Sequence, residues 1–484
     1  MGVHADPSSS ELKSLVKVKH VINIGVPENL RLSERSIYKV PCNLREVNKD
    51  AYTPLCISIG PIHFEKPELN TMQEHKLRYY QCFWIRVSND EAMESYEHYL
   101  LNKEQEIRQC YSEKFELPKE KFVAMMLLDA MFIMELFLRN RELKSQSFPE
   151  RNIVDDDDLI MTQSWLARNI ARDMILLENQ IPFFILSELY EKVVPDYQKK
   201  EDTDFVDLAF KYFAFYDPQI CPSENIAKKE NCFGSKKLKG GSFENLNLNQ
   251  NQNQNLKPEH KHFTDLIRFY YLPTDKKKGQ ASDHVPRTAT KLQDSGVYFE
   301  KGGEKKKLLD ITFEKKQILS LCLCFGCLKC LNHFKARFRI PQLKVDHNTE
   351  CLFRNLIALE QCHYPEEAFI CNYVSLIDSL IHTQLDVELL VEKEVIVHEL
   401  GSHKEVASLV NGLCKHVVTN STCYYETIKG LNDHYKNKWY HTMASLRLVY
   451  FRDLWRASST VVGIAVLIFA VFQFLRAIRA LFKM

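Results

Sequence analysis

Charge of one sign is what this chain lacks most plainly: 64 Lys and Arg stand against 63 Asp and Glu in 484 residues, a formal net charge of +1. A balanced surface produces no global field, so bulk steering toward nucleic acid is excluded and no nucleic-acid partner is expected. An apolar run near the N-terminus is missing as well. The opening MGVHADPSSSELKSLVKVKH has no hydrophobic segment of the kind a secretory signal needs, which predicts that the 15 cysteines are reduced thiols rather than a disulfide framework. Met1-Gly2 would suggest myristoylation, but Asp6 stands where that pattern wants Ser or Thr. A glycine-rich phosphate loop, a nucleophile with its base and a metal pair are also missing, so no cofactor is expected.

What is present is a hydrophobic content of 45%, enough for a sizeable core, and one long uncharged run. Ala457 to Leu475 holds eleven Val, Ile, Leu or Phe residues among 19, including Val461, Ile464, Leu467, Phe469 and Phe472. As a helix it rises roughly 28 Å, close to a hydrocarbon core of about 30 Å. The alternative, a buried core helix, usually keeps a polar stripe, and none is visible here. Trp455 and Arg456 on one side and Arg476, Arg479 and Lys483 on the other suit headgroup depth. Cations on the two sides nearly balance. The nine residues after the run predict insertion as a tail anchor, with the large N-terminal domain cytosolic at the plasma membrane or an endomembrane. The sequon Asn420-Ser421-Thr422 would be glycosylated only in the opposite topology.

Along the chain, residues 1–35 read as a flexible arm and 37–63 as an irregular, Pro- and Gly-punctuated segment with brief strands. A helix is predicted from Glu74 through Ile107. Phe122 to Leu138 is apolar on every face, but Asp129 at its centre would cost roughly 2.5–3.5 kcal/mol in a bilayer, so it is assigned as the central helix of the soluble fold. Asp155 to Asp158 reads as a solvated linker, followed by helices Ser164–Glu178 and, after Pro182, Phe183–Val193. The Asn/Gln-rich stretch within 222–261 is a flexible insertion. A helix follows at His262–Leu272. Gly296–Phe299 and Leu308–Phe313 read as two strands around a Gly-Gly turn, with Phe338–Ile340 a third. Helical periodicity returns over Thr349–Leu413 and Thr427–Arg456. The expected fold is mainly α: a multi-helix soluble domain over 36–450 with a small β-sheet insertion, one transmembrane helix at 457–475 and a short basic tail at 476–484.

Several motifs in fixed order carry a family resemblance. They are Val40-Pro-x-x-Leu44-Arg45, Ser58-Ile-Gly-Pro61-x-His63, His75-Lys76-x-Arg78-Tyr79, Met125-Met-Leu-Leu-Asp129-x-x-Phe132, Leu176-Leu-Glu-Asn-Gln-Ile-Pro182 and Arg354-Asn-Leu-Ile-Ala358-x-Glu360. Together they resemble the plant family called domain of unknown function 247, over about Tyr38 to Phe472. The resemblance implies a helical soluble domain with a C-terminal transmembrane helix and no established activity; some members are implicated in pollen-side recognition. The chain departs from the family pattern at 317–336, an apolar cysteine-rich stretch such as a retained intron would produce.

Four constellations invite chemistry. Cys324, Cys327, Cys330 and His333 have metal-ligand spacing, but crowding into one short apolar stretch leaves no second knuckle, and an acylated hydrophobic loop is the competing reading. Glu178-Asn179-Gln180 could bind a ligand or do acid–base work; alternatively these side chains seal helix ends inside the core. Asp129 needs a buried partner, with Lys76, Arg78 and Arg354 as candidates, or serves as an active-site carboxylate in a polar pocket shared with Glu178 to Gln180. His398-Glu399 with His403 has the wrong interval for a zinc-protease helix and reads as a surface loop and helix start capped by Ser402. The reading that follows is a membrane-anchored interaction or recognition module whose partners are the bilayer and an unidentified protein; the alternative is an enzyme of unfamiliar type.

Overall fold

The computed structural model describes residues 35–145, 158–199, 202, 204–216, 260–277, 279–281, 286–303, 306–315, 336–437 and 454–481. The N-terminal arm, Asp155–Asp157, most of the 222–261 insertion, the cysteine-rich insertion with Cys324, Cys327, Cys330 and His333, residues 438–453 and the end of the basic tail lie outside these.

Three long helices come first: α1 (Thr71–Val87), α2 (Asp90–Gln109) and α3 (Lys119–Ser145). The sequence suggests one helix where α1 and α2 stand. Ser88 breaks it by turning left-handed at φ 47°, and the Asn89 side chain accepts from Ala92 N at 3.1 Å to start the next. In α3 every residue from Asp129 to Arg139 is buried. Its all-round apolarity follows from its place, because α1, α2 and two later helices surround it. These are α5 (Phe183–Lys192) and α6 (Phe205–Phe213), which follow α4 (Ser164–Met174). Phe137 of α3 stacks on Tyr212 at 4.3 Å between centroids, and Phe183 meets Phe263 of α7 (Phe263–Tyr271) edge-on at 4.9 Å. Each buried ring contributes about 1.5–3 kcal/mol from area alone.

Asp158 is not solvated. It lies buried at 1% exposure, caps the short helix Leu159–Thr162, and accepts from Tyr79 Oη and Arg139 Nη1. A fixed cation and an orphan helix N-terminus give its charge two partners that a linker lacks.

The second half opens with β1 (Val297–Lys301), β2 (Thr312–Lys315) and β3 (Ala336–Ile340) in the order β1-β3-β2. The two strands flanking the Gly-Gly turn therefore do not pair with each other. β3 lies between them, parallel to β1 and antiparallel to β2, with Phe338 opposite both Phe299 and Phe313. On its other face Arg339 reaches Glu300 of β1 at 3.2 Å and Glu314 of β2 at 2.7 Å, which suits the middle position. A two-stranded parallel pair joins β4 (Leu343–Val345) to β5 (Ile396–His398). His398 thus ends a strand rather than lying in a loop, while Ser402 does accept from Glu405 N, at 3.3 Å.

Helices α8 (Thr349–His363), α9 (Phe369–Leu380), α10 (Gln384–Glu392), α11 (His403–Leu413) and α12 (Tyr425–Lys436) complete the body. One apolar cluster runs from Ile37 to Leu431 and unites both halves. The last helix, α13 (Leu454–Leu481), carries an apolar stretch, Ser458–Arg476, of which none is buried.

Candidate functional site

Residues 36–63 form the short helix Cys42–Arg45 and one 3-10 turn, Lys49–Tyr52, rather than the brief strands expected, and 53–60 lie outside any helix or strand, so the backbone groups buried there need partners that no helix or sheet supplies. Buried side chains supply them. Asp173, on the last turn of α4, accepts from Leu55 N, Cys56 N and Ile57 N at 2.9, 2.6 and 3.0 Å. Asn179 Oδ1 accepts from Ile59 N at 2.7 Å while its amide donates to Ile57 O and Asp173 O. Asp129 accepts from Gly60 N at 2.8 Å and from Lys76 Nζ at 2.5 Å, and Lys76 also donates to Ser58 O. Gly60 has φ 73°, and a Cβ there would collide with Gln180 O; only glycine fits.

Gln180 donates to Met174 O and Leu176 O at 2.6 and 2.7 Å and accepts from Phe263 N at 2.9 Å. It ties the end of α4 to the start of α7. The same capping explains why α4 stops at Met174 rather than running to Glu178: its last carbonyls turn toward side-chain amides instead of continuing the ladder. Glu178 accepts from Val40 N at 2.7 Å, pairs with Arg45, and lies 3.3 Å from His63 Nε2.

Burial pushes the carboxyls of Asp129 and Asp173 above their ordinary range, although Lys76 and the three backbone N–H groups respectively pull them back. Glu178 differs. Burial would raise it, but His63, Arg45 and Val40 N–H together outweigh that and hold it below the usual value.

The structure therefore brings Asp129, Glu178, Asn179 and Gln180 onto one buried spine, with Lys76 the cation that meets Asp129. Arg354 stands apart. It pairs with Glu350 at 2.8 Å within α8 and donates to Gly412 O. Asn355, its neighbour, does reach the spine's edge, accepting from Leu177 N and donating to Ala51 O. Sequence reasoning missed Asp173, and it quoted Arg45, His63 and Asn355 within motifs without giving them a role. Chemically the spine is a clamp, since its carboxylates and amides are turned onto backbone groups and fixed cations rather than toward a substrate.

Of the residues assigned to the apolar run, Ile464, Leu467, Phe469, Phe472 and Leu475 are 45–66% exposed, and Ala457 and Val461 lie in the same helix.

Residues 37–469 match the family described as a plant protein of unknown function, domain of unknown function 247. The chain belongs to this family. Two relatives of this domain-247 chain, both from Arabidopsis thaliana, extend over nearly all of it. UPF0481 protein At3g47200 is 27% identical, covering 90% of this chain and 85% of that protein. Putative UPF0481 protein At3g02645 is 25% identical, covering 96% of each. No solved structure matches the domain-247 chain.

Proposed function

We propose that this protein is a membrane-anchored interaction module: α13 crosses the bilayer once, and the helical body faces the cytosol, presenting a surface to another protein. The observation that carries the reading is the bare apolar stretch Ser458–Arg476, where residues such as Leu467 and Phe474 are each 66% exposed. In water that exposure would cost about 25 cal/mol per Å² of apolar area; hydrocarbon removes the cost. Among the described residues Cys42, Cys56, Cys82, Cys351, Cys362, Cys371, Cys414 and Cys423 are free thiols, which suits the reducing side of a membrane. The motif-bearing spine serves the fold, which leaves the outer surface of the body as the place for recognition.

Proximity labelling tests the proposal. The full chain and a version ending before Leu454 should give different partner sets, and only the full chain should remain in the membrane pellet after an alkaline wash. Identical partner sets, or equal pelleting, would defeat it.

A further inference from the structure

Helix α1 buries Met72, Lys76, Tyr79, Phe83 and Val87 against the core, as an amphipathic helix should. Beside that buried face, and bordered by the exposed Gln81, runs a second set of apolar side chains. Leu77 is 52% and Ile85 74% exposed, and the half-buried rings of Tyr80 and Trp84 lie beside them, 6.1 Å apart. Spacings of three, four and eight residues set these four side chains on one side of the helix. An exposed apolar strip that includes aromatic rings has the composition of a binding hot spot.

The neighbouring helix gives the strip its sign. The turn at Ser88 and Asn89 folds α2 back, so its first turns, with Asp90, Glu91, Glu94 and Glu97, follow the strip's C-terminal end. Glu97 lies near enough to Tyr80 to reinforce the upward push that burial gives its hydroxyl. Among the described residues none of these four carboxylates enters a salt bridge, and Arg86, the nearest cation in α1, is already taken by Glu135 and Glu142.

We propose that the α1–α2 hairpin docks a cationic amphipathic helix of a partner protein, its apolar side on Leu77, Tyr80, Trp84 and Ile85 and its lysines or arginines opposite Asp90, Glu91, Glu94 and Glu97. The acidic rim selects this occupant. A second copy of the chain would set carboxylates against carboxylates, and an anionic leaflet would repel the same rim. The inference rests on the interaction-module reading and names the chemistry of the partner.

The test uses the full chain in phosphatidylcholine nanodiscs and a benzophenone-bearing Leu/Lys amphipathic peptide of about 18 residues, beside a Leu/Glu peptide of the same pattern. Adducts should map to residues 71–97, favour the lysine peptide by about tenfold or more, and fall by about tenfold in both Ile85→Glu and the triple variant Glu91→Lys, Glu94→Lys, Glu97→Lys. The unfolding curve of Ile85→Glu should match the parent, because this side chain lies outside the core, and the triple variant should stay folded with a lowered midpoint, because it places cations at the N-terminus of α2. Equal labelling by the two peptides, adducts elsewhere, adducts indifferent to both variants, or self-association abolished by Ile85→Glu would overturn the proposal. Pelleting of the same variants with membranes, measured in parallel, reports on α13 alone and keeps a failure of the anchor distinct from a failure of this surface.

Discussion

Asp129 and Lys76 form a buried pair at 2.5 Å, with 1% and 2% exposure. Removing one partner strands the other, so Asp129→Ala should destabilise the body by about 3–5 kcal/mol in denaturant unfolding, whereas Asp129→Leu with Lys76→Met should cost much less. A double-variant loss equal to the sum of the two single losses would show that the pair is not coupled. Gly60→Ala forces a Cβ against Gln180 O at a positive φ and should lower stability by about 1–3 kcal/mol. His262 supplies a pH signature. Its Nε2 donates to Ser36 O at 3.0 Å, its Nδ1 accepts from Asp265 N, and burial lowers its pKa from 6.5 to about 4. The unfolded chain therefore binds the proton first: this stabilisation is complete above about pH 6.5 and is lost as pH falls toward 4, about 3 kcal/mol in all. His262→Asn, which keeps a capping side chain, should flatten that slope; an unchanged slope would remove His262 as its source. The need for a cation beside Asp129 was legible in the sequence, because a lone buried carboxylate is untenable. That Lys76 rather than Arg78 answers it depends on which face of α1 turns inward, which the partly buried Tyr80 and Trp84 beside the buried stripe blur in the periodicity, and Arg354 is excluded by its place on α8.

At the scale of elements, the sequence reading located α3, α5 and α7 from apolar pattern and Pro182 alone, read the several helices of 349–413 only as one helical stretch, and erred where local hydrogen bonds end a helix. Ser88–Asn89 carries no Gly or Pro, so the break between α1 and α2 had only the capping Asn as a signal. The end of α4 was hidden for a tertiary reason: its carbonyls are taken by Asn179 and Gln180, whose partners on residues 55–60 and 263 are remote in sequence. Strand order was equally out of reach, since β3 inserts between strands that precede it. Gln180→Ala should leave Met174 O, Leu176 O and Phe263 N without these partners, each costing about 1–3 kcal/mol. Hydrogen exchange should then accelerate at the start of α7 more than in α12. Uniform acceleration would instead mean that Gln180 does not link α4 to α7.

For the whole molecule, the buried motifs and the bare helix divide the labour. Residues of the motifs quoted from the sequence, among them Gly60, Asp129, Glu178 and Gln180, hold Val40, residues 57–60 and the start of α7 in place and so maintain the body. The apolar stretch of α13 and the strip on α1 are among the apolar surfaces that the body leaves uncovered. The central claim is that the chain crosses a membrane once with its body on the cytosolic side, and protease protection in sealed membrane vesicles, read together with glycosylation at the exposed Asn420, tests it most directly. The account predicts that added protease digests the body in intact vesicles and that Asn420 carries no glycan. A protected, glycosylated body, or a chain released in full by alkaline washing, would contradict it.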